Sequence, residues 1–276
     1  MGLDPELAGK DYGTTTYEVT AEAIERYARA TNDENDRYLA GNDSVATPVF
    51  PVVPAFQSFM AASTDPELGA DLMRLVHGSE EHVLYVPIRP GDTLTVAARL
   101  ESVEQKETGE TFTVLATETN QDGELAAEVR GTMFIRGSGS GKRPRPGGDD
   151  EEPERRIVYE ETTKVDEDQP VRYAEASGDR NPIHLDENVA RMAGLRGVIL
   201  HGMCTMGIAS KAVVNGVARG DPTRVERIAV RFSRPVIPGD ELTTRLWKTG
   251  DATYGFETCN GKGSAVIKQG QAEIAP

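Results

Sequence analysis

The stretch EASGDRNPIHLDE, residues 175–187, gathers Asp179, Asn181, His184 and Asp186 around Pro182. Asp179 and His184 stand five residues apart, a spacing that does not align two side chains on a continuing helix. A loop stiffened by proline can turn both toward one point. A carboxylate and an imidazole that share one water form a general acid/base pair, since the first accepts a proton at neutral pH and the second can hold or release one. Asn181 is neutral and suits bracing the loop through its backbone. A second chemical feature follows at LHGM, residues 200–203. If a helix begins there, the amide of Gly202 has no intrahelical acceptor, stands at the positive end of the dipole, and can receive a carbonyl oxygen on which charge develops.

Plainer explanations compete with this one. Asp and Asn are common turn residues, and a lone histidine is more often structural than catalytic. An Asp-x-Asn calcium loop is ruled out by Ile183, His184 and Ala190 at its fifth, sixth and twelfth positions. His201 reads as a structural neighbour of the helix start. His77 and His82 have no acid or thiol in a coherent spacing and are assigned to exposed or strand positions. Cys204 reads as an inert core thiol, and Met203 and Met206 as packing. Arg180, Arg196, Arg231 and Arg234 could meet phosphates, with none singled out.

The elements that hold these residues occur twice. Residues 20–35, TAEAIERYARATNDEN, laid over 166–181, DEDQPVRYAEASGDRN, coincide at Arg26/Arg172, Tyr27/Tyr173, Ala28/Ala174, Ala30/Ala176, Asp33/Asp179 and Asn35/Asn181. A Pro-Gly-Asp recurs at residues 90–92 and 238–240 with nearly the same offset, so the chain is a duplicated unit. Each unit reads as a capped helix (Thr20, Asp166), a polar loop, an apolar helix and then strands. The clearest apolar helix starts at Gly202, and Pro170 fits the first turn of its own helix. The strands are HVLYVPI, TLTVAARLESV, TFTVLATET and AAEVRGTMFI, then RIAVRFSRPV, ELTTRLWKT, ATYGFETC and SAVIKQGQAEI, with a hairpin turn at Asp122-Gly123. An antiparallel sheet wrapped around a buried helix makes each unit α+β, and two units would pair their sheets edge to edge. The division is residues 1–136, a flexible linker over 137–156 rich in Gly, Pro and opposed charges, and residues 157–276.

Composition narrows the partners. Forty-five acidic residues against thirty basic ones give a net charge of −15, which repels nucleic acid and anionic lipid surfaces. Two widely spaced cysteines argue against a disulfide scaffold or structural zinc. With no secretory leader or long apolar run, the expectation is a soluble, cytoplasmic protein.

The SGDRNPIHLD motif followed by HGM resembles the MaoC-like dehydratases, the (R)-specific enoyl-CoA hydratases, in their two-domain form. That resemblance implies a double hot-dog fold, an N-terminal degenerate repeat and a C-terminal active one. It implies that Asp179 and His184 hold the catalytic water, that Asn181 supports them, that the Gly202 amide polarises a thioester carbonyl, and that Ser210 lies near the site. The implied reaction is hydration of a trans-2-enoyl thioester or the reverse dehydration, within fatty acid metabolism. It needs no metal or redox cofactor, CoA enters only as part of the substrate, and a homodimer is possible. In the first repeat Tyr38 stands where His184 is expected, Asp36 replaces Pro182, and Pro54-Ala55 replaces the His-Gly pair, so that repeat is expected to be silent. Two alternatives are a hot-dog thioesterase and a non-catalytic acyl-thioester-binding subunit of a heteromeric complex.

Overall fold

A computed structural model describes residues 2–137 and 155–276. Most of the segment read as a linker, 137–156, therefore lies outside the described residues. The first unit runs β1 (Asp11–Glu18), α1 (Ala21–Ala30), α2 (Val52–Ser63), β2 (Leu75–Leu84), β3 (Thr93–Lys106), β4 (Gly109–Thr119) and β5 (Leu125–Arg136). The second runs β6 (Ile157–Lys164), α3 (Gln169–Ser177), a short α4 (Glu187–Met192), α5 (Gly202–Gly216), β7 (Val225–Phe232), β8 (Glu241–Lys248), β9 (Thr253–Asn260) and β10 (Ala265–Ile274). All ten strands form one antiparallel sheet in the order β1-β3-β4-β5-β2-β7-β10-β9-β8-β6. The halves mirror each other about the β2–β7 seam, where Ser79 faces Arg231 and Val83 faces Arg227.

Local chemistry accounts for the element boundaries. The Thr20 hydroxyl accepts from the Ala23 amide at 3.1 Å and caps α1. The matching expectation for Asp166 is corrected: α3 begins later, with Asp168 at its N-cap and Pro170 in its first turn. The Asp166 carboxylate instead pairs with Arg172 at 2.6 Å, while its amide donates to Gln169 Oε1. Gly123, at φ +81°, closes the β4–β5 hairpin as expected. The edge strands β1 and β6 escaped the sequence reading because their Thr- and Glu-rich alternation carries little apolar signal. β2 begins at Leu75, seven residues before the run HVLYVPI, and ends before Pro87, which has no amide to offer the ladder.

The two helices read as buried are the core of each half. α2 lies against β1, β3, β4 and β5, and α5 against β6, β7, β8 and β10. Met206, Ile208, Ala209, Val213 and Val214 of α5 are inaccessible to water, and each fully buried large apolar side chain contributes about 1.5–3 kcal/mol. Between the halves α1 packs on α3, and the equivalent residues Tyr27 and Tyr173 meet, hydroxyl to hydroxyl, at 3.3 Å. α5 also approaches α1 closely: a Cβ on Gly207 would lie 2.4 Å from the Thr31 methyl, which the bond from Thr31 Oγ1 to the Ala28 carbonyl holds in place. Gly207→Ala is therefore expected to destabilise the fold by about 1–3 kcal/mol in denaturant titration, despite alanine's better helix propensity.

Candidate active site

The chain leaves α3 through Gly178, whose φ of +82° ends the helix in a left-handed turn. The next residues fold on themselves. Asp179 Oδ1 accepts from the Asn181 amide at 3.0 Å, Asn181 Oδ1 accepts from the Ile183 amide at 3.3 Å, and Pro182–His184 close a 3-10 turn. This turn points His184 inward while Asn181 stays exposed, so Asn181 acts on the backbone as expected. A carboxylate oxygen of Asp179 and one ring nitrogen each of His184 and His201 lie within 4.8 Å of one another. The loop therefore brings the two predicted acid/base groups together.

The state of His184 follows from its partners. Nδ1 faces the Ile199 carbonyl at 2.9 Å, and a carbonyl only accepts, so Nδ1 carries the hydrogen and Nε2 keeps its lone pair. Burial lowers the imidazole pKa below its ordinary 6.5, although the nearby Asp179 charge and the Ile199 bond oppose that shift. His184 is accordingly a neutral base at neutral pH.

His201 has a larger part than the sequence suggested. It is the N-cap of α5 without capping the helix through its side chain, so it leaves the first amides of α5, that of Gly202 among them, without a cap from that position. Its Nε2 donates instead to the Asp179 carbonyl at 3.0 Å, and its ring stacks on His184 with centroids 3.8 Å apart. The Tyr173 ring also packs against it, with centroids 4.8 Å apart. Burial, and then the neighbouring His184, push its pKa down to about 3. His201 thus ties the catalytic loop to the helix start, a role that only the fold reveals.

Other predicted residues sort clearly. Ser210 is buried about two turns along α5, and its hydroxyl has no partner among the described residues. The Cys204 thiol is buried and pushed up by desolvation, inert as expected. Arg180, Arg196, Arg231 and Arg234 are exposed. The expectation that His77 and His82 lack an acidic partner is overturned, since both bond Glu80. A bulge between His77 and Ser79 changes the strand's parity, so that residues 77, 80 and 82 share one face. Phe232, whose ring atoms lie 3.4–3.5 Å from where a Gly202 Cβ would be, is a site neighbour with no local signal to mark it.

The first repeat keeps the loop geometry without the chemistry. The Asn35 amide donates to Asp33 Oδ1 at 3.2 Å and the Tyr38 amide to the Asn35 carbonyl at 2.9 Å, matching the Asn181–Asp179 and His184–Asn181 bonds of the second repeat. Tyr38 thus occupies the place of His184, and its hydroxyl is buried without a partner among the described residues. A cleft of about 770 Å³ opens beside Asp33, Asn35, Arg29, Arg172 and Lys211, but these cations are already engaged with Glu25, Asp166, Asp168 and Glu161.

Comparison with known proteins agrees with the geometry. The "MaoC like domain" family matches residues 149–269, and the "FAS1-like, dehydratase domain region" matches residues 6–129. The chain is 33% identical to 3-hydroxyacyl-thioester dehydratase Y of Mycobacterium tuberculosis over 84% of its own length and 83% of that protein's. The chain belongs to the MaoC-like dehydratase family. It is also 32% identical to the peroxisomal multifunctional enzyme type 2 of Drosophila melanogaster, spanning 81% of this chain but only 39% of that longer enzyme. A crystal structure of a MaoC-like dehydratase from Phytophthora capsici superposes with a TM-score of 0.86 at 25% identity, covering 100% of this chain and 98% of that one. A Mycobacterium tuberculosis protein described as a double hotdog fold matches with a TM-score of 0.63 at 13% identity, a likeness of fold alone. The chain is a double hot-dog.

Two stability measurements test the electrostatics. Below about pH 6.5 the unfolded chain protonates His201 while the folded one refuses the proton until about pH 3, so this residue makes stability fall as pH drops. His201→Asn should flatten the decline in melting temperature between about pH 6.5 and 5. Burial raises Asp33 to about 6, so above that pH the fold carries a costly buried charge. Asp33→Asn should therefore raise the melting temperature above pH 6 and leave the reaction rate unchanged.

Proposed function

We propose that the protein hydrates trans-2-enoyl-CoA to (R)-3-hydroxyacyl-CoA, or runs the reverse dehydration, as a hydro-lyase. One observation carries the mechanism: the Ile199 carbonyl accepts from His184 Nδ1 and leaves Nε2 with its lone pair, in a ring that has a nitrogen within 4.8 Å of an Asp179 carboxylate oxygen. Water held between Asp179 and His184 loses a proton as its oxygen adds to C3 of the conjugated thioester. The electron pair of the double bond moves toward the carbonyl, and the Gly202 amide stabilises the resulting enolate oxygen. The same pair returns a proton to C2. Run backward, these steps expel water from a 3-hydroxyacyl thioester. The residues supply acid/base and hydrogen-bonding groups for every step, so the reaction is proposed to need neither metal nor redox cofactor. Asn181 and Ser210 are proposed as supporting residues, and the four exposed arginines are available to the CoA phosphates.

Names among the relatives support this reading, including "Probable enoyl-CoA hydratase 2" of Dictyostelium discoideum, 32% identical over 75% of the chain. Thioester hydrolysis is the alternative. The likeness to a putative oleoyl thioesterase of Lactobacillus plantarum, at 10% identity, is one of fold alone. No helix among the described residues is long and apolar enough to cross a membrane. The cytoplasm is the proposed compartment, which cell fractionation can check, since several relatives carry peroxisomal names.

Incubation with crotonyl-CoA and a longer enoyl-CoA, following both conjugated absorbance and free thiol, tests the function. Hydration bleaches the absorbance without releasing thiol; thiol release would replace this reading with hydrolysis, and neither change would point to a binding subunit. Asp179→Asn and His184→Asn are each expected to lower kcat by about 10²- to 10⁴-fold. Activity should fall as pH drops below the ordinary imidazole value of 6.5, because burial delays protonation of His184. An acid limb centred above that value would contradict the assignment of His184 as base.

A further inference from the structure

The silent repeat contains a buried charged cluster that the proposed mechanism does not use. Glu80 on β2 is 2% exposed and His82 is fully buried. Glu80 Oε2 accepts from His77 Nε2 at 2.9 Å, and Oε1 faces His82 Nε2 at 3.1 Å. The other nitrogen of His82 faces the Pro48 carbonyl at 3.1 Å. Both nitrogens of His82 thus face acceptors, so the pair bonds fully only with the proton count of an imidazolium and a carboxylate. Burial pushes the Glu80 carboxyl up, and its two imidazole partners more than offset this, holding it below the usual range. Gly131 across the ladder makes room, since a Cβ there would come within 2.9 Å of Glu80 Oε2.

Such a cluster is poorly explained as a stabilising device. Ion pairs in a core recover little beyond their desolvation cost, and apolar replacements of similar volume are often as stable. This chain contains that replacement: 148 residues on from Glu80 and His82, the second repeat places Ile228 and Val230, also buried. What differs is the neighbour. The His77 ring packs on Phe232 with centroids 4.7 Å apart, and Phe232 flanks Gly202.

We propose that Glu80 is a positioning residue of the active site: through His77 it fixes Phe232 as the wall beside the Gly202 amide, where the thioester carbonyl binds. The degenerate repeat thereby helps to build the thioester subsite of its active neighbour across the β2–β7 seam. The inference rests on the reading of Gly202 given above.

Glu80→Gln keeps the side-chain volume but removes one of the two acceptors. It is expected to lower kcat on crotonyl-CoA by about tenfold or more while the protein stays folded, as a small misplacement of a reacting group does. Because Glu80 acts through Phe232, adding Phe232→Leu should cost no further activity beyond the larger single loss. His77→Leu, at the more accessible end of the cluster, serves where Glu80→Gln does not fold and should show the same non-additivity with Phe232→Leu. A folded Glu80→Gln or His77→Leu enzyme with wild-type kcat overturns the proposal, as does a loss additive with that of Phe232→Leu. If the wild-type protein hydrates no enoyl-CoA, the functional reading fails. The wall is then read from the Kd for butyryl-CoA, which Glu80→Gln should raise and which an unchanged value would refute.

Discussion

The hydrogen bond from His184 to the Ile199 carbonyl decides the character of the site. It fixes the tautomer, and without it the loop would carry an imidazole able to present either nitrogen to Asp179. Ile199 is itself pinned, because the next residue donates its amide to the Val236 carbonyl at 2.8 Å. The segment entering α5 is therefore tied to the β7–β8 connection on one side and to the Asp179–His184 loop on the other. His201 completes the arrangement by holding the Asp179 carbonyl and stacking beneath His184, so the loop and the helix start can shift only together.

Duplication explains the rest of the architecture. Both repeats fold the same turn after their first helix, with matching backbone bonds, yet one ends in an imidazole and the other in a buried phenol. A phenol is a far weaker base near neutrality, and the desolvation of Tyr38 raises its pKa further. The first repeat was then free to diverge at other inward positions. Glu80 and His82 stand where its neighbour has Ile228 and Val230, on the strand that pairs across the seam. The first hot-dog, which has Tyr38 in place of the imidazole, still supplies half of the continuous sheet and, through β2, residues adjacent to the site of the second.

The Asp179–His184 pair and the Gly202 helix start were legible because the signals are local. A proline-stiffened turn and a glycine opening an apolar helix depend on residues within a few positions of each other. The duplication was legible for the same reason, as Tyr27/Tyr173 and Asp33/Asp179 keep one offset. The edge strands β1 and β6 were hidden because half-exposed strands need few apolar residues, and the Asp166 cap was misplaced because its carboxylate found Arg172 instead.

Sequence by itself determined which residue types could do chemistry, which half holds the Asp–His pair, and the α+β repeat that carries them, all set by short-range spacing and periodicity. Only tertiary structure decided that Ile199, His201, Phe232 and the His77–Glu80–His82 cluster belong with them. Those contacts join segments far apart in the chain, and in β2 they depend on a bulge that turns His77 onto the face of Glu80. No spacing rule encodes such a meeting, because it exists only once β2 and β7 have paired and α5 has settled against the sheet.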